Sequence, residues 1–169
     1  MSDGTVAILS LGSNLGDREQ TLRDAIADVA ALDGVLLLDT SGLVETAAVK
    51  PAGVDPDSPA YLNAIARVLT TLSAPDLLTR INQIEADHGR VRAARWGDRT
   101  LDIDIVAYGN LIQDDPALTL PHPRAAERGF VLVPWLELDP DAVLPGIGPI
   151  AELPAAAANV SRYPAEGEL

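Results

Sequence analysis

The sequence contains no cysteine, so disulfide bonds and thiolate metal sites are excluded. It also has no uninterrupted apolar run of about 18 residues, the length that a membrane-spanning helix requires. The first residues, MSDGTVAILSLGSN, carry no basic segment ahead of their apolar stretch. They are typical of a first β-strand rather than of a signal peptide. We therefore expect a cytoplasmic protein that does not bind a membrane.

Positive charge is scarce and unevenly placed. The net charge is −13, and the cations are one lysine, Lys50, and eleven arginines. This balance argues against nucleic-acid binding, which needs a positive surface. Four arginines nevertheless fall within ten residues, Arg90, Arg92, Arg95 and Arg99. Because the arginine fork suits phosphate oxygens, this stretch predicts either a local anion site or an ordinary solvated surface with ion pairs.

A Walker-type phosphate loop is absent, since no GxxxxGK[ST] pattern occurs and Lys50 follows no glycine-rich loop. The segment from Gly12 to Gly16 follows a predicted strand and opens a predicted helix. It could capture a phosphate at the helix N-terminus, or Gly12 could be a turn residue with Asn14 as a local cap. The pattern is too short to decide between the two.

Hydrophobic periodicity predicts one domain over residues 1–169, of class α+β. Strands are predicted at 5–11, at 35–38 with an extension to 44 left open, at 61–72 and at 100–108. Helices are predicted at 17–32 and from a Ser73 cap to about Gly89, with loops at 50–59 and 89–99. This order is that of a ferredoxin-like α–β sandwich, in which helices pack on one face of a mainly antiparallel sheet. Phe130 to Leu136 is apolar, and the C-terminal part adds an element or two.

The stretch LDIDIV, residues 101–106, predicts a strand with two faces. Residues two apart in a strand point the same way, so Asp102 and Asp104 share one face while Leu101, Ile103 and Ile105 share the other. Adjacent carboxylates repel each other, and a divalent cation such as Mg²⁺ would remove that repulsion. The alternative is that the two aspartates pair with the nearby arginines. His122 lies between Pro121 and Pro123. It either contributes to a functional site or has no special role.

Four blocks carry a resemblance to a known family. They are SLGSNLGD at 10–17, YLNA at 61–64, GRVRAARWGDRTLDIDI at 89–105 and LTLPHPRAAERGFVLVP at 118–134. In this order they resemble the 6-hydroxymethyl-7,8-dihydropterin pyrophosphokinases of folate biosynthesis. The resemblance implies transfer of pyrophosphate from ATP to the hydroxymethyl group of the pterin, with release of AMP. It further implies ATP as co-substrate, two Mg²⁺ ions and a cytoplasmic monomer.

The resemblance also implies a role for particular residues. Asp102 and Asp104 would hold the metal ions, and Arg90 and Arg99 would be the catalytic cations of a closing loop. The residues expected around ATP are Glu85, Arg92, Ile105 through its backbone, Thr119, His122 and Arg128. The residues expected around the pterin are Asn14, Thr46, Val49, Tyr61, Asn63, Trp96 and Phe130.

Two other functions are compatible with the same residues. The first is a different metal-dependent phosphotransfer or phosphodiester enzyme, which would use the two aspartates but not the flat pocket of Tyr61, Asn63 and Phe130. The second is a nucleotide-binding module without chemistry.

Overall fold

The structure is a computed structural model that describes residues 4–13, 18–46, 49–50, 53–54, 61–88, 101–157 and 161–163. Within these residues, the main sheet has six strands. The helices are α1 (Arg18–Ala30), α2 (Ala74–Asp87) and α3 (Gly129–Leu138). The strands are β1 (Thr5–Ser13), β2 (Val35–Thr40), β3 (Leu43–Thr46), β4 (Val49–Lys50), β5 (Gly53–Val54), β6 (Tyr61–Thr70), β7 (Asp102–Tyr108), β8 (Gln113–Asp115), β9 (Leu118–Leu120), β10 (Val143–Leu144), β11 (Gly148–Pro149) and β12 (Ser161–Tyr163).

Every strand pair of the main sheet is antiparallel. β6 is its central strand, and β1 lies between β6 and the edge strand β7. β2 and β3 both pair with β6, each along a different part of that long strand, and β12 pairs with β3. Three two-stranded ladders, β4–β5, β8–β9 and β10–β11, lie outside this sheet. The predicted α+β class and the mainly antiparallel sheet are confirmed.

Helices α1 and α2 cover one face of the sheet. Leu22 of α1 and Leu77 and Ile81 of α2 are fully buried there against Leu9 and Leu62. The predicted cap of α2 is confirmed, because the Asp76 backbone N–H donates to Ser73 Oγ at 3.2 Å. This layer is the ferredoxin-like part of the fold, and it supplies the larger of two apolar cores.

Helix α3 and short C-terminal turns cover the opposite face. Leu132 and Trp135 of α3 pack there on Ile8 and Ile65 of the sheet, and Ile150 lies in the same cluster. The sequence predicted helices on one face only, so this second layer corrects the prediction. The apolar stretch 130–136 lies within α3, where Pro134 occupies an interior position. Because nearly every residue of this stretch is apolar, the sequence shows no helical period there, and hydrophobic periodicity did not reveal α3.

The second predicted strand is divided into β2 and β3. At the break, the backbone N–H of Ser41 donates to the Ile65 carbonyl at 2.8 Å, and Ser41 Oγ accepts the Ile65 N–H at 2.9 Å. The serine side chain thus takes over a bond that the strand ladder would otherwise make, and Gly42 follows it. Both strands remain attached to β6, so the sheet is continuous across the break.

Within the described residues, no helix combines the length and the apolar character that crossing a membrane would require.

Candidate active site

The two aspartates of β7 lie on the face that carries α3. Asp102 and Asp104 are partly exposed, whereas Ile103 and Ile105 are each 3% exposed and belong to the core under α1 and α2. The predicted separation of carboxylates from apolar side chains is therefore confirmed. After Ile105, the pairing register between β7 and β1 shifts by one residue. Val106, the next residue, is buried in the core under α3.

A buried carboxylate supports β7 from the other face. Glu85 of α2 is 4% exposed, and its Oε2 accepts the backbone N–H of Ile103 at 2.7 Å. Ile103 is the residue between the two aspartates, so this bond fixes the strand at the point where both carboxylates leave it. A hydrogen bond to an ionised acceptor is stronger than a neutral one, particularly where water is excluded.

Two cationic or polar side chains face Asp104. Arg128 Nη1 is 3.7 Å and His122 Nε2 is 3.9 Å from Asp104 Oδ2. These distances are longer than hydrogen bonds, so both contacts with the carboxylate are electrostatic contacts at longer range. Arg128 also places its guanidinium carbon 5.6 Å from the centre of the Phe130 ring. The same side chain therefore lies beside the carboxylate and the aromatic ring.

The backbone determines how His122 is oriented. Its N–H donates to the Val106 carbonyl at 2.8 Å, and its ring Nδ1 accepts the Arg124 N–H at 3.1 Å. Burial lowers the pKa of His122 below its ordinary value, and Arg128 lowers it further, against a smaller opposing effect of Asp102. The ring is therefore neutral at neutral pH and carries its proton on Nε2, where it can donate towards an anion beside Asp104.

A polar and aromatic group lies on the same face, one strand beyond β1. Tyr61 and Asn63 are two residues apart on β6, and Thr46 of β3 is the cross-strand partner of Tyr61. Asn63 is 5% exposed, and its Nδ2 donates to Thr46 Oγ1 at 3.1 Å. An aromatic ring beside an amide and a hydroxyl is a surface that can hold a flat, hydrogen-bonding heterocycle.

Gly12 connects the two groups of residues. It pairs with Asn63 on one side and with Asp102 on the other, so the three residues form one row across β6, β1 and β7. The sequence interpreted Gly12 and Ser13 as turn residues, and this is corrected, because both belong to β1. Neighbouring strands lie about 4.8 Å apart, so Asn63 and Asp102 are separated by about 10 Å.

The remaining predicted residues differ in what the structure describes. Thr119 lies in β9 and donates its hydroxyl to the Asp115 carbonyl at 3.0 Å, and the Ile105 backbone pairs with Leu9 of β1. Val49 lies in β4. The predicted residues that fall outside the described part of the chain are Asn14, Arg90, Arg92, Trp96 and Arg99.

Sequence reasoning missed two features of this site. One is the bond from Glu85 to the Ile103 backbone, and the other is the place of Gly12 between the amide and the carboxylate. The spacing of buried positions on α2 did contain a signal for the first, because Glu85 follows the buried Ile84 and Ile81. Among the residues that the structure describes, no three His, Cys, Asp or Glu side chains are grouped so as to hold a metal ion.

Comparisons with known proteins show which family the chain is similar to. The family model of 7,8-dihydro-6-hydroxymethylpterin-pyrophosphokinase, HPPK, matches residues 8–140. A 2-amino-4-hydroxy-6-hydroxymethyldihydropteridine pyrophosphokinase of Haemophilus influenzae is 42% identical over 147 residues, 87% of this chain and 89% of that protein. The enzyme of the same name from Methylorubrum extorquens is 42% identical over 142 residues, 84% of this chain and 87% of that protein.

Solved structures with low sequence identity share the fold. A crystal structure of HPPK-DHPS in complex with substrates matches with a TM-score of 0.68 at 11% identity, over 88% of this chain and 42% of that one. An HPPK-DHPS from Plasmodium falciparum gives a TM-score of 0.68 at 14% identity, over 89% of this chain and 45% of that one. The present chain spans less than half of these longer chains.

Fold, site and relatives together define a small α+β transferase. The chain belongs to the 7,8-dihydro-6-hydroxymethylpterin-pyrophosphokinase family. The predicted resemblance is thereby confirmed, and with it the activity, transfer of pyrophosphate from ATP to 6-hydroxymethyl-7,8-dihydropterin in folate synthesis.

Proposed function

We propose that the transfer takes place on the α3 face of the sheet, across the row formed by Asn63, Gly12 and Asp102. The observation that supports this is the cross-strand register, in which Asn63 of β6 and Asp102 of β7 lie in one row with only a glycine between them. Substrates held at the two ends of this row would bring the pterin hydroxymethyl group close to the polyphosphate of ATP.

We assign Mg²⁺ to Asp102 and Asp104. The two carboxylates project from the same side of β7, are partly exposed, and offer the hard oxygen ligands that Mg²⁺ prefers. When bound, Mg²⁺ neutralises charge on the polyphosphate oxygens, and we expect two ions there, as the family resemblance implies. The residues fit such ions because one or two carboxylates plus substrate phosphates are the usual Mg²⁺ environment.

His122 and Arg128 are proposed to bind the polyphosphate beside Asp104. Neutral His122 can donate from Nε2, and it is not suited to act as a base because its Nδ1 already accepts the Arg124 N–H. Arg128 supplies a permanent positive charge beside the same carboxylate. Arg92 is proposed as a further ATP contact, and Arg90 and Arg99 as the catalytic cations. Glu85, Thr119 and the Ile105 backbone are proposed near the nucleoside.

The pterin is proposed to stack between the rings of Tyr61 and Phe130. Asn63 and Thr46 would meet its hydrogen-bonding edge, with Val49 contributing backbone contacts. Asn14 and Trp96 are the further proposed contacts, the latter as a lid. In the reaction, the hydroxymethyl oxygen of the pterin attacks the β-phosphorus of ATP. The bond from that phosphorus to the α-phosphate oxygen breaks, AMP leaves with the electron pair, and the proton of the hydroxymethyl group is released to water.

We further propose that the chain acts in the cytoplasm as a monomer on these two small molecules. It would bind neither nucleic acid nor membrane, in keeping with its net charge of −13.

The test is AMP release by the purified protein, with ATP and Mg²⁺, in the presence and absence of the pterin. We expect AMP only when the pterin is present, and loss of at least about a hundredfold in kcat for Asp102→Asn. Asp24→Asn, an exposed change on α1, is the matched control and should behave as wild type. AMP release without pterin would favour the other metal-dependent phosphotransfer enzyme. An Asp102→Asn protein that turns over normally would contradict the proposed metal site.

A further inference from the structure

We propose that Gly12 is a positioning residue for the pterin, because the absence of its side chain allows the Asn63 amide to lie where it does. This inference rests on the proposed function of Asn63 and Tyr61. Gly12 has no side chain with which to contact the reacting atoms or the metal ligands, so its effect is exerted through Asn63.

The first observation is a distance. A Cβ atom built on Gly12 would lie 2.8 Å from Asn63 Oδ1, closer than Cβ atoms approach other heavy atoms in proteins. It would also lie 3.6 Å from Tyr61 Cδ1, an ordinary contact. The amide oxygen of Asn63 therefore occupies the volume that any side chain at residue 12 would take.

The second observation is the hydrogen bond on the other side of the amide. Asn63 Nδ2 donates to Thr46 Oγ1 at 3.1 Å, towards β3, while Oδ1 lies over Gly12, towards β1. The amide is thus held between a hydroxyl on one neighbouring strand and bare backbone on the other. Both contacts are needed to define its plane, and that plane decides which donor and which acceptor a heterocycle meets.

The third observation concerns the backbone of Gly12 itself. In the part of the chain that the structure describes, the glycines with positive φ are Gly4, Gly34, Gly109, Gly146 and Gly148, and Gly12 is not among them. An alanine at residue 12 would therefore cause no backbone strain, and its effect would come from the added methyl group alone.

These observations predict a separation between stability and binding. The atom that a methyl group would displace is the end of a flexible side chain, which can rotate away at small energetic cost to the fold. That rotation would, however, break the bond to Thr46 and turn the amide away from the pterin. Gly12 therefore contributes to substrate recognition rather than to folding.

The experiment is a double-mutant cycle of Gly12→Ala and Asn63→Ala, with steady-state kinetics and thermal unfolding. We expect Gly12→Ala to raise the pterin KM about tenfold or more and to leave kcat within about threefold. The KM for ATP and the unfolding temperature should stay close to wild type. In the Asn63→Ala background, Gly12→Ala should add little, because residues that act through one contact are not additive. Val6→Ala, at the exposed start of β1, is the control.

The outcomes separate this inference from the proposed function. If Asn63→Ala leaves the pterin KM unchanged, the proposed pterin site is wrong. If Asn63→Ala raises that KM but Gly12→Ala does not, or if the two effects add fully, the role of Gly12 is overturned. If Gly12→Ala alone does not fold, the double variant Gly12→Ala with Asn63→Ala is compared with it. Recovery of folding in the double variant would show that the methyl group acts on the Asn63 amide, and failure to recover would overturn the role of Gly12.

Discussion

The carboxylate of Glu85 accepts the backbone N–H of Ile103 at 2.7 Å, and through this bond α2 holds β7 between Asp102 and Asp104. Glu85 belongs to the helical layer on one face, whereas the aspartates point to the other face. The bond is a direct connection between the ferredoxin-like layer and the strand that carries the two aspartates.

Replacement of Glu85 by alanine should therefore affect both stability and activity. The Ile103 N–H would remain buried without this acceptor, a loss of about 1–3 kcal/mol in the free energy of unfolding. Urea unfolding at neutral pH measures this loss of stability. In a titration of activity with Mg²⁺, the alanine variant should need a higher Mg²⁺ concentration to reach half of its maximal activity. Glu85→Gln retains an acceptor oxygen and should therefore lose less stability and less activity than Glu85→Ala. An alanine variant as stable as wild type would show that the bond contributes nothing.

Replacement of Tyr61 by alanine should weaken pterin binding and leave ATP binding nearly unchanged. A stacked ring contributes about 1 kcal/mol beyond the area it buries, so the pterin Kd should rise roughly tenfold. Fluorescence titration of the pterin with an unreactive ATP analogue measures it. Tyr61→Phe keeps the ring and serves as the control. An equal loss of ATP affinity in Tyr61→Ala would mean that the pocket is assigned incorrectly.

Arg128 should influence both substrates, because it lies beside Asp104 and over the Phe130 ring. We expect Arg128→Ala to raise the KM of ATP and of the pterin. Arg128→Lys should restore most of the ATP affinity through its charge but less of the pterin affinity, since an ammonium group lacks the flat guanidinium surface. Steady-state kinetics with each substrate varied in turn would reveal this pattern. Identical behaviour of the lysine and alanine variants would contradict it.

The ion pair between Arg67 and Asp39 should give a pH-dependent contribution to stability, far from the site. The hydrogen bond from Arg67 holds the pKa of Asp39 below its usual value of 3.8, with distances of 2.6 and 2.8 Å between the two groups. A carboxyl group with a lowered folded-state pKa stabilises the protein above its unfolded-state pKa. This stabilisation is lost as the pH falls through the folded-state pKa.

Since both side chains are partly exposed, Asp39→Asn should reduce the free energy of unfolding by less than about 1 kcal/mol at neutral pH. The difference from wild type should shrink as the pH falls below about 4. Urea denaturation of both proteins across this range is the measurement. A difference that grows towards acid pH would contradict the assignment of the shift to Asp39.

Part of the candidate site and of the fold around it could be predicted from local patterns. The alternation at 101–105 determined which face Asp102 and Asp104 occupy, because side chains in a strand alternate strictly. The cap at Ser73 marked the start of α2, since an N-cap depends on neighbours in sequence only. The alternation of long strands and helices up to β7 followed from periodicity in the same way.

The remaining features depend on contacts between distant segments. Helix α3 is mostly apolar, so no period distinguishes it from a strand, and its place on the second face follows from packing against Ile8 and Ile65. Gly12 resembles a turn residue in sequence, and its place in β1 is determined by pairing with both Asn63 and Asp102. The Glu85–Ile103 bond joins residues 18 positions apart, beyond the reach of local patterns.

The pairing of β12 with β3 has a practical consequence for how the protein is produced. β3 carries Thr46, and without β12 it would be an open edge strand of the main sheet, available for pairing with another chain. Truncated versions made for crystallisation should therefore retain Ser161–Tyr163.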